Sequence, residues 1–231
     1  MGLGGGRTSV LLPDDDTDLE WVDLRLIRVP AVRGGRRSPA SSRPASRPAS
    51  RPASGPAANT PPAGTLGPAM IAWFRRHPLW VRGTGPRILL VDLDNLRAGP
   101  ARWQARMEVV VWLARLADHT ILAGQHGAVA RAQPHLAELA GFTHGVDDGS
   151  DLADHVLLDA AEAITAERVR VVVLSNDGIF VRLAGRGPLT VLSPGLDALS
   201  DKLRDTASRV VDLTAVEESA VASLGEVIDL S

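Results

Sequence analysis

Ile88-Leu89-Leu90-Val91-Asp92-Leu93-Asp94-Asn95 decides how the chain is read. Four apolar residues run, without polar alternation, into two carboxylates and an amide. A short continuous apolar run of this kind suits a strand buried on both faces, as in a parallel sheet. Burying a carboxylate without a partner costs several kcal/mol, which places Asp92 at the strand's end, facing a cation or water. In open α/β sheets ligands bind outside the carboxyl ends of the strands. The stretch therefore predicts an acidic metal site built on a buried strand.

Downstream, strand-like and helix-like stretches alternate. Strands are expected at about 87–92, 120–124, 142–146 (weak), 171–174, 189–192 and 210–213. Helical patterns are expected at about 101–118, 127–140, 151–166, 178–185 and 196–208, with Pro134 interrupting the second and Gly141 closing it. Such alternation predicts an α/β fold, a doubly wound parallel sheet of about five strands with flanking helices. Residues 87–214 are read as this domain, and 215–231 as a tail that could add one more helix.

Upstream the composition changes. Residues 42–57 repeat a Ser-Arg-Pro-Ala unit, whose regular Pro removes donors and breaks helix. Residues 1–66 are expected to be a disordered Arg/Pro/Ser/Ala-rich leader. Residues 67–86 form an aromatic and basic lead-in, with Trp73 and Trp80 beside Arg75, Arg76 and Arg82. Arg75 and Arg76 are candidate RNA contacts, since aromatic and basic groups together stack on bases and hold phosphate. Packing of the aromatics on the following domain is the favoured role for this segment.

The net charge of -2 hides segregation. Residues 1–30 carry -3, residues 31–82 carry +9 with no acid, and residues 83–231 carry -8. A basic leader ahead of an acidic body suits a polyanion partner, although a solvated Arg-rich linker is an equally good reading. There is no cysteine, which excludes disulfides and thiolate metal sites. A carboxylate site then favours Mg²⁺ or Mn²⁺. No apolar run approaches the roughly 20 residues of a membrane span, so no membrane role and a cytoplasmic location are expected. Homo-oligomerisation is left open, and so is a translation start downstream, for instance at Met70.

Three stretches carry the candidate chemistry. Asp92-Leu93-Asp94-Asn95 closes the first strand, and Ser175-Asn176-Asp177-Gly178 closes the fourth. If those strands lie side by side across the switch point, their carboxylates converge. Asp151-Leu152-Ala153-Asp154-His155 opens a helix, with Asp151 and Asp154 sharing a face. Complementing the helix dipole accounts for Asp151, but not for Asp92 or Asp177. A cluster of carboxylates repels itself unless a cation sits between them, and with Mg²⁺ or Mn²⁺ it can hold a phosphoryl group for attack by water. His155 and His126 are weaker candidates, read as a helix-flank and a turn residue. No Gly-rich phosphate loop with Lys and no Gly-x-Ser-x-Gly motif is present.

From Arg87 to Leu213 these motifs resemble the NYN branch of the PIN-like ribonuclease superfamily. Val91-Asp92-Leu93-Asp94-Asn95 is similar to its opening strand end, Asp151 to His155 to its central helix start, and Ser175-Asn176-Asp177-Gly178-Ile179-Phe180 to its last strand end. The resemblance implies metal-dependent RNA cleavage with Asp92, Asp154 and Asp177 as catalytic and metal-ligating acids. Asp94, Asn95, Asp151, Ser175 and Asn176 take supporting roles in this reading. The chain departs from the family at Ile179, where many relatives have a further Asp, and at Gly149-Ser150, where a basic residue is usual. A non-catalytic RNA- or partner-binding module is therefore one alternative. A second is a haloacid-dehalogenase-like phosphatase, because Asp92-Leu93-Asp94-Asn95-Leu96 and Val173-Leu174-Ser175-Asn176 resemble that family's first two motifs.

Overall fold

The computed structural model describes residues 64–149 and 151–229. The disorder expected of the leader falls almost wholly outside them. The described chain forms one six-stranded, all-parallel sheet, one strand more than the five expected. All six strand-like stretches form strands, including the weak one at 142–146, which is β3 (Thr143–Val146), a short edge strand of mixed sequence. The others are β1 (Arg87–Asp92), β2 (His119–Gln125), β4 (Arg170–Leu174), β5 (Leu189–Ser193) and β6 (Arg209–Asp212).

Their order across the sheet is β3-β2-β1-β4-β5-β6. The order reverses between β1 and β4, which lie hydrogen-bonded together with Val91 opposite Leu174. This is the neighbour relation that the two acid-ending strands require. Side chains alternate between the faces of a strand. Leu89 and Val91 of β1, with Val172 and Leu174 of β4, enter the core on one face. Ile88 and Leu90, with Val171 and Val173, enter the core on the other. Both strands are thus apolar throughout because both faces are covered.

The first face is covered by α1 (Leu66–Arg76), α2 (Pro100–Ala114) and α6 (Leu213–Asp229). In α1, Leu66, Met70 and Phe74 recur every four residues and are buried, so the helix docks by one stripe. Leu79 follows into the same core. Segments 67–86 and 215–231 thus contribute helices that complete this face; on α6, Val216 and Ala220 are buried. A buried ion pair ties the layer together: Arg106 Nε of α2 donates to Glu217 Oε1 of α6 at 2.5 Å.

The second face is covered by α4 (Leu152–Glu162) and α5 (Asp201–Thr206), with a 3₁₀ segment, Gly178–Arg186, between β4 and β5. Three expected helices are shorter or differently wound. The 127–140 pattern resolves into α3 (His126–Ala132) and a 3₁₀ turn, Ala137–Phe142, with Pro134 in the break. The 178–185 pattern is 3₁₀, and Phe180 and Leu183, three apart, both point into the core. The 196–208 pattern splits at Leu199, whose backbone is extended, leaving α5 short.

Candidate metal centre

The parity of β1 places Asp92 on the same face as Ile88 and Leu90, towards α4, and Ser175 follows Val171 and Val173 onto that face. The two therefore meet at the ends of adjacent strands. Ser175 Oγ donates to Asp92 Oδ2 at 3.0 Å, and Asn95 Nδ2 donates to the same oxygen. Asp92 Oδ1 accepts the backbone N–H of Asp94 at 3.0 Å and that of Asn95 at 3.4 Å. Burial pushes the Asp92 carboxyl up, against the pull of these hydrogen bonds. Asp94 faces the other neighbour, with its Oδ2 accepting the Gln125 N–H at 2.8 Å. Gly124 permits this approach, because a Cβ there would stand 2.9 Å from the Cβ of Leu93.

The loop after β4 is fixed from both sides. Ser175 Oγ accepts the Asp177 N–H at 3.1 Å, and Asn176 Oδ1 accepts from Ser193 Oγ at 2.6 Å. Asn176 Nδ2 donates to the Gly195 carbonyl at 3.1 Å. Asp177 caps the following 3₁₀ segment, its Oδ1 accepting the Ile179 N–H at 2.8 Å. The Ile179 side chain is partly buried and packs against the apolar core of this face.

Asp154, in the first turn of α4, completes the centre. It is 7% exposed, and its Oδ1 is buried with no hydrogen-bond partner. Burial, and then the charges of Asp92, Asp177, Asp151 and Asp94, push its carboxyl up from 3.8 to about 7. Asp151, Asp154 and Asp177 each bring one oxygen to within 4.8 Å of the others. Asp151 is the single non-glycine residue of positive φ (67°) among those described, and its side chain makes no capping hydrogen bond. It stands at the helix start as the dipole argument expects, yet it turns its carboxylate to the cluster rather than to the helix.

The three oxygens brought together thus belong to Asp151, Asp154 and Asp177. Asp92 stands close enough to raise Asp154, but both its oxygens are engaged by Asp94, Asn95 and Ser175. The donor set suits a hard cation, and an orphaned buried oxygen among three carboxylates is the feature a cation would satisfy. His155 is exposed on the flank of α4, and the ring of His126 lies against Gly145. Arg75 and Arg76 lie elsewhere. They end α1, next to Pro78, whose carbonyl accepts from Arg209 at the start of β6. That is the amino edge of the sheet, about 17 Å of strand from the carboxyl edge that carries the acids.

Fold and site together define a six-stranded parallel α/β protein with a carboxylate cluster at its switch point. No protein-family model matches the chain, and no curated protein matches it. Among solved structures it is similar to an enoyl reductase domain of a polyketide synthase, at 21% identity over 72% of this chain and 90% of that one, with a TM-score of 0.35. A likeness at that level carries no argument about function. Among the described residues no helix is long and apolar enough to cross a membrane.

Proposed function

We propose that this chain is a Mg²⁺- or Mn²⁺-dependent ribonuclease of the NYN, PIN-like kind, working on RNA in the cytoplasm. The observation that carries the reading is the buried, unpartnered Oδ1 of Asp154 beside the carboxylates of Asp151 and Asp177. Asp151, Asp154 and Asp177 would hold the cation, with the charge of Asp92 behind them. When bound, the cation would supply the positive charge that draws a phosphodiester to an acidic surface, and would ease loss of a proton from the attacking water so that it becomes the better nucleophile. Asn95 and Ser175 hold Asp92, and Ser175 also sets the turn that presents Asp177. Asp94 keeps the loop after β1 against β2.

Two observations bear on the other readings. Both Asp92 oxygens accept hydrogen bonds, which suits a carboxylate fixed in place better than the free nucleophile of a haloacid-dehalogenase-like phosphatase. Ile179 packs into the core where many NYN relatives have an acid, and this favours a non-catalytic RNA-binding module as the second reading.

Cleavage of a labelled single-stranded RNA in Mn²⁺ separates them. The wild-type chain is expected to cut, to stop in EDTA, and to lose more than about 100-fold in rate on Asp177→Asn, beyond the loss typical of an outer-shell change. RNA binding without turnover in Mn²⁺ would replace the nuclease with the binding module. Cleavage undiminished by the substitution would remove the site.

A further inference from the structure

The edge of the sheet opposite the acids carries the reverse charge. Arg170 opens β4, and its guanidinium donates to the carbonyls of Gly85 (3.0 Å) and Val81 (3.5 Å). Arg168 precedes it and is exposed, with its carbonyl so close to Gly85 that a Cβ there would stand 2.3 Å from it. Gly85 takes φ +98°, which together with that contact reserves the position for glycine. Arg82 is exposed in the same loop. Arg209 opens β6 and donates to the Pro78 carbonyl at 2.7 Å, three residues from Arg75 and two from Arg76.

None of Arg75, Arg76, Arg82, Arg168, Arg170 and Arg209 makes an ion pair among the described residues. Among nearby acids Asp118 pairs with Arg87 and is also stabilised by the charge of Arg170, while Glu138 pairs with Arg115 and Glu162 with Arg182. Glu167, ahead of β4, and Asp205, ahead of β6, are the unpaired acids beside them. The six arginines therefore lie at one end of the sheet, where main-chain carbonyls hold Arg170 and Arg209 in place and the other four are exposed. Partly exposed rings accompany them. Trp73 stacks on exposed His77 at 4.1 Å, and Trp80 lies across the start of β1 with its Nε1 on the Ile88 carbonyl.

Resting on the function proposed above for the choice of polymer, we propose that this amino edge, and not the acidic one, is a standing binding surface for the phosphodiester backbone of single-stranded RNA. Guanidinium groups hold phosphate, and sequence-tolerant stacking on aromatic rings holds bases. In sequence, residues 31–63 ahead of α1 carry six Arg and no acid. A membrane partner fits less well, because Val81 is the one large apolar side chain exposed on this edge.

The surface needs no metal, so binding measured in EDTA separates it from the proposed cleavage. The probe is a fluorescein-labelled single-stranded RNA of about 20 nucleotides, titrated with the full chain at about 50 to 200 mM KCl. Wild type is expected to bind with affinity falling steeply as salt rises. A variant carrying R75Q, R76Q, R82Q and R168Q, none of which has a side-chain hydrogen bond to lose, is expected to melt as wild type. It should bind about tenfold or more weakly at 100 mM salt, with the slope shallower by about 0.7 per contact removed. Equal affinity and slope in the quadruple variant, or no wild-type binding at the lowest salt, overturns the proposal. So does a quadruple variant that loses only self-association in sedimentation, or only binding to anionic phosphatidylserine vesicles, since the occupant is then a second copy or a membrane.

Discussion

Asp154→Asn is expected to make the metal-free protein more stable at neutral pH while removing its response to metal. The carboxyl is buried and pushed up from 3.8 to about 7. The folded protein therefore keeps a proton at this site through a pH range in which the unfolded chain has released it. This group's contribution to stability is greatest below about pH 4, falls as pH rises from about 4 to 7, and is level above that. Across the window the loss approaches about 4 kcal/mol, an upper figure because neighbouring acids and residual solvent relax it. Asparagine keeps the shape and removes the charge. Urea unfolding in EDTA should show wild-type stability dropping between pH 5 and pH 8, and a shallower drop in the variant. The residual slope combines Asp92, whose carboxyl is also pushed up by burial, with His144, whose ring is held down by burial and acts in the opposite sense. A variant less stable than wild type at pH 8 would mean that Asp154 already has a partner in the free protein.

The second large effect lies away from the site. Arg106 and Glu217 are both nearly inaccessible, and their 2.5 Å hydrogen bond joins α2 to α6. Arg106 also donates to the Pro194 carbonyl at 3.3 Å, while Glu217 Oε2 makes no hydrogen bond and lies 3.5 Å from Arg102 Nε. Removing one member of a buried pair leaves the other as an uncompensated charge, at about 3–5 kcal/mol. Glu217→Leu should therefore destabilise the protein by about that amount in urea unfolding, with an unchanged slope. Adding Arg106→Met should restore most of the loss, because an apolar pair of similar volume avoids the desolvation of two charges. A single-variant cost under about 1 kcal/mol would show that α6 separates from α2 cheaply.

Much of this molecule was legible in the sequence, and the reasons can be named. Ile88 to Val91 and Val171 to Leu174 have no polar alternation because both faces of their strands are covered, and this signalled the parallel sheet. Their acid-bearing ends followed once the strands were taken as neighbours, which the order across the switch point bears out. The helices from 127 to 208 were less legible. Periodicity does not separate an α from a 3₁₀ turn over six to nine residues, and Leu199 adopts extended backbone with no breaker beside it. The roles of Asp92 and Asp151 were also hidden. Hydrogen bonds from Asn95 and Ser175 occupy Asp92, and a left-handed backbone aims Asp151 at the cluster; neither leaves a mark in residue type. The basic edge was hidden for a similar reason, since only the strand order brings Arg168 and Arg209 to the same end of the sheet as Arg75.

Whether Asp154 is a metal ligand is decided by Mn²⁺ binding to the full chain, measured by isothermal titration calorimetry at pH 8 for wild type beside Asp154→Asn. With its carboxyl pushed up to about 7, Asp154 is mainly ionised at this pH, and saturable binding by the wild type is expected. The variant is expected to bind about 100-fold or more weakly, because a ligand and not an outer partner has been removed. Equal binding by the two proteins, or no binding by the wild type at millimolar Mn²⁺, would rule out the carboxylate cluster as a metal site.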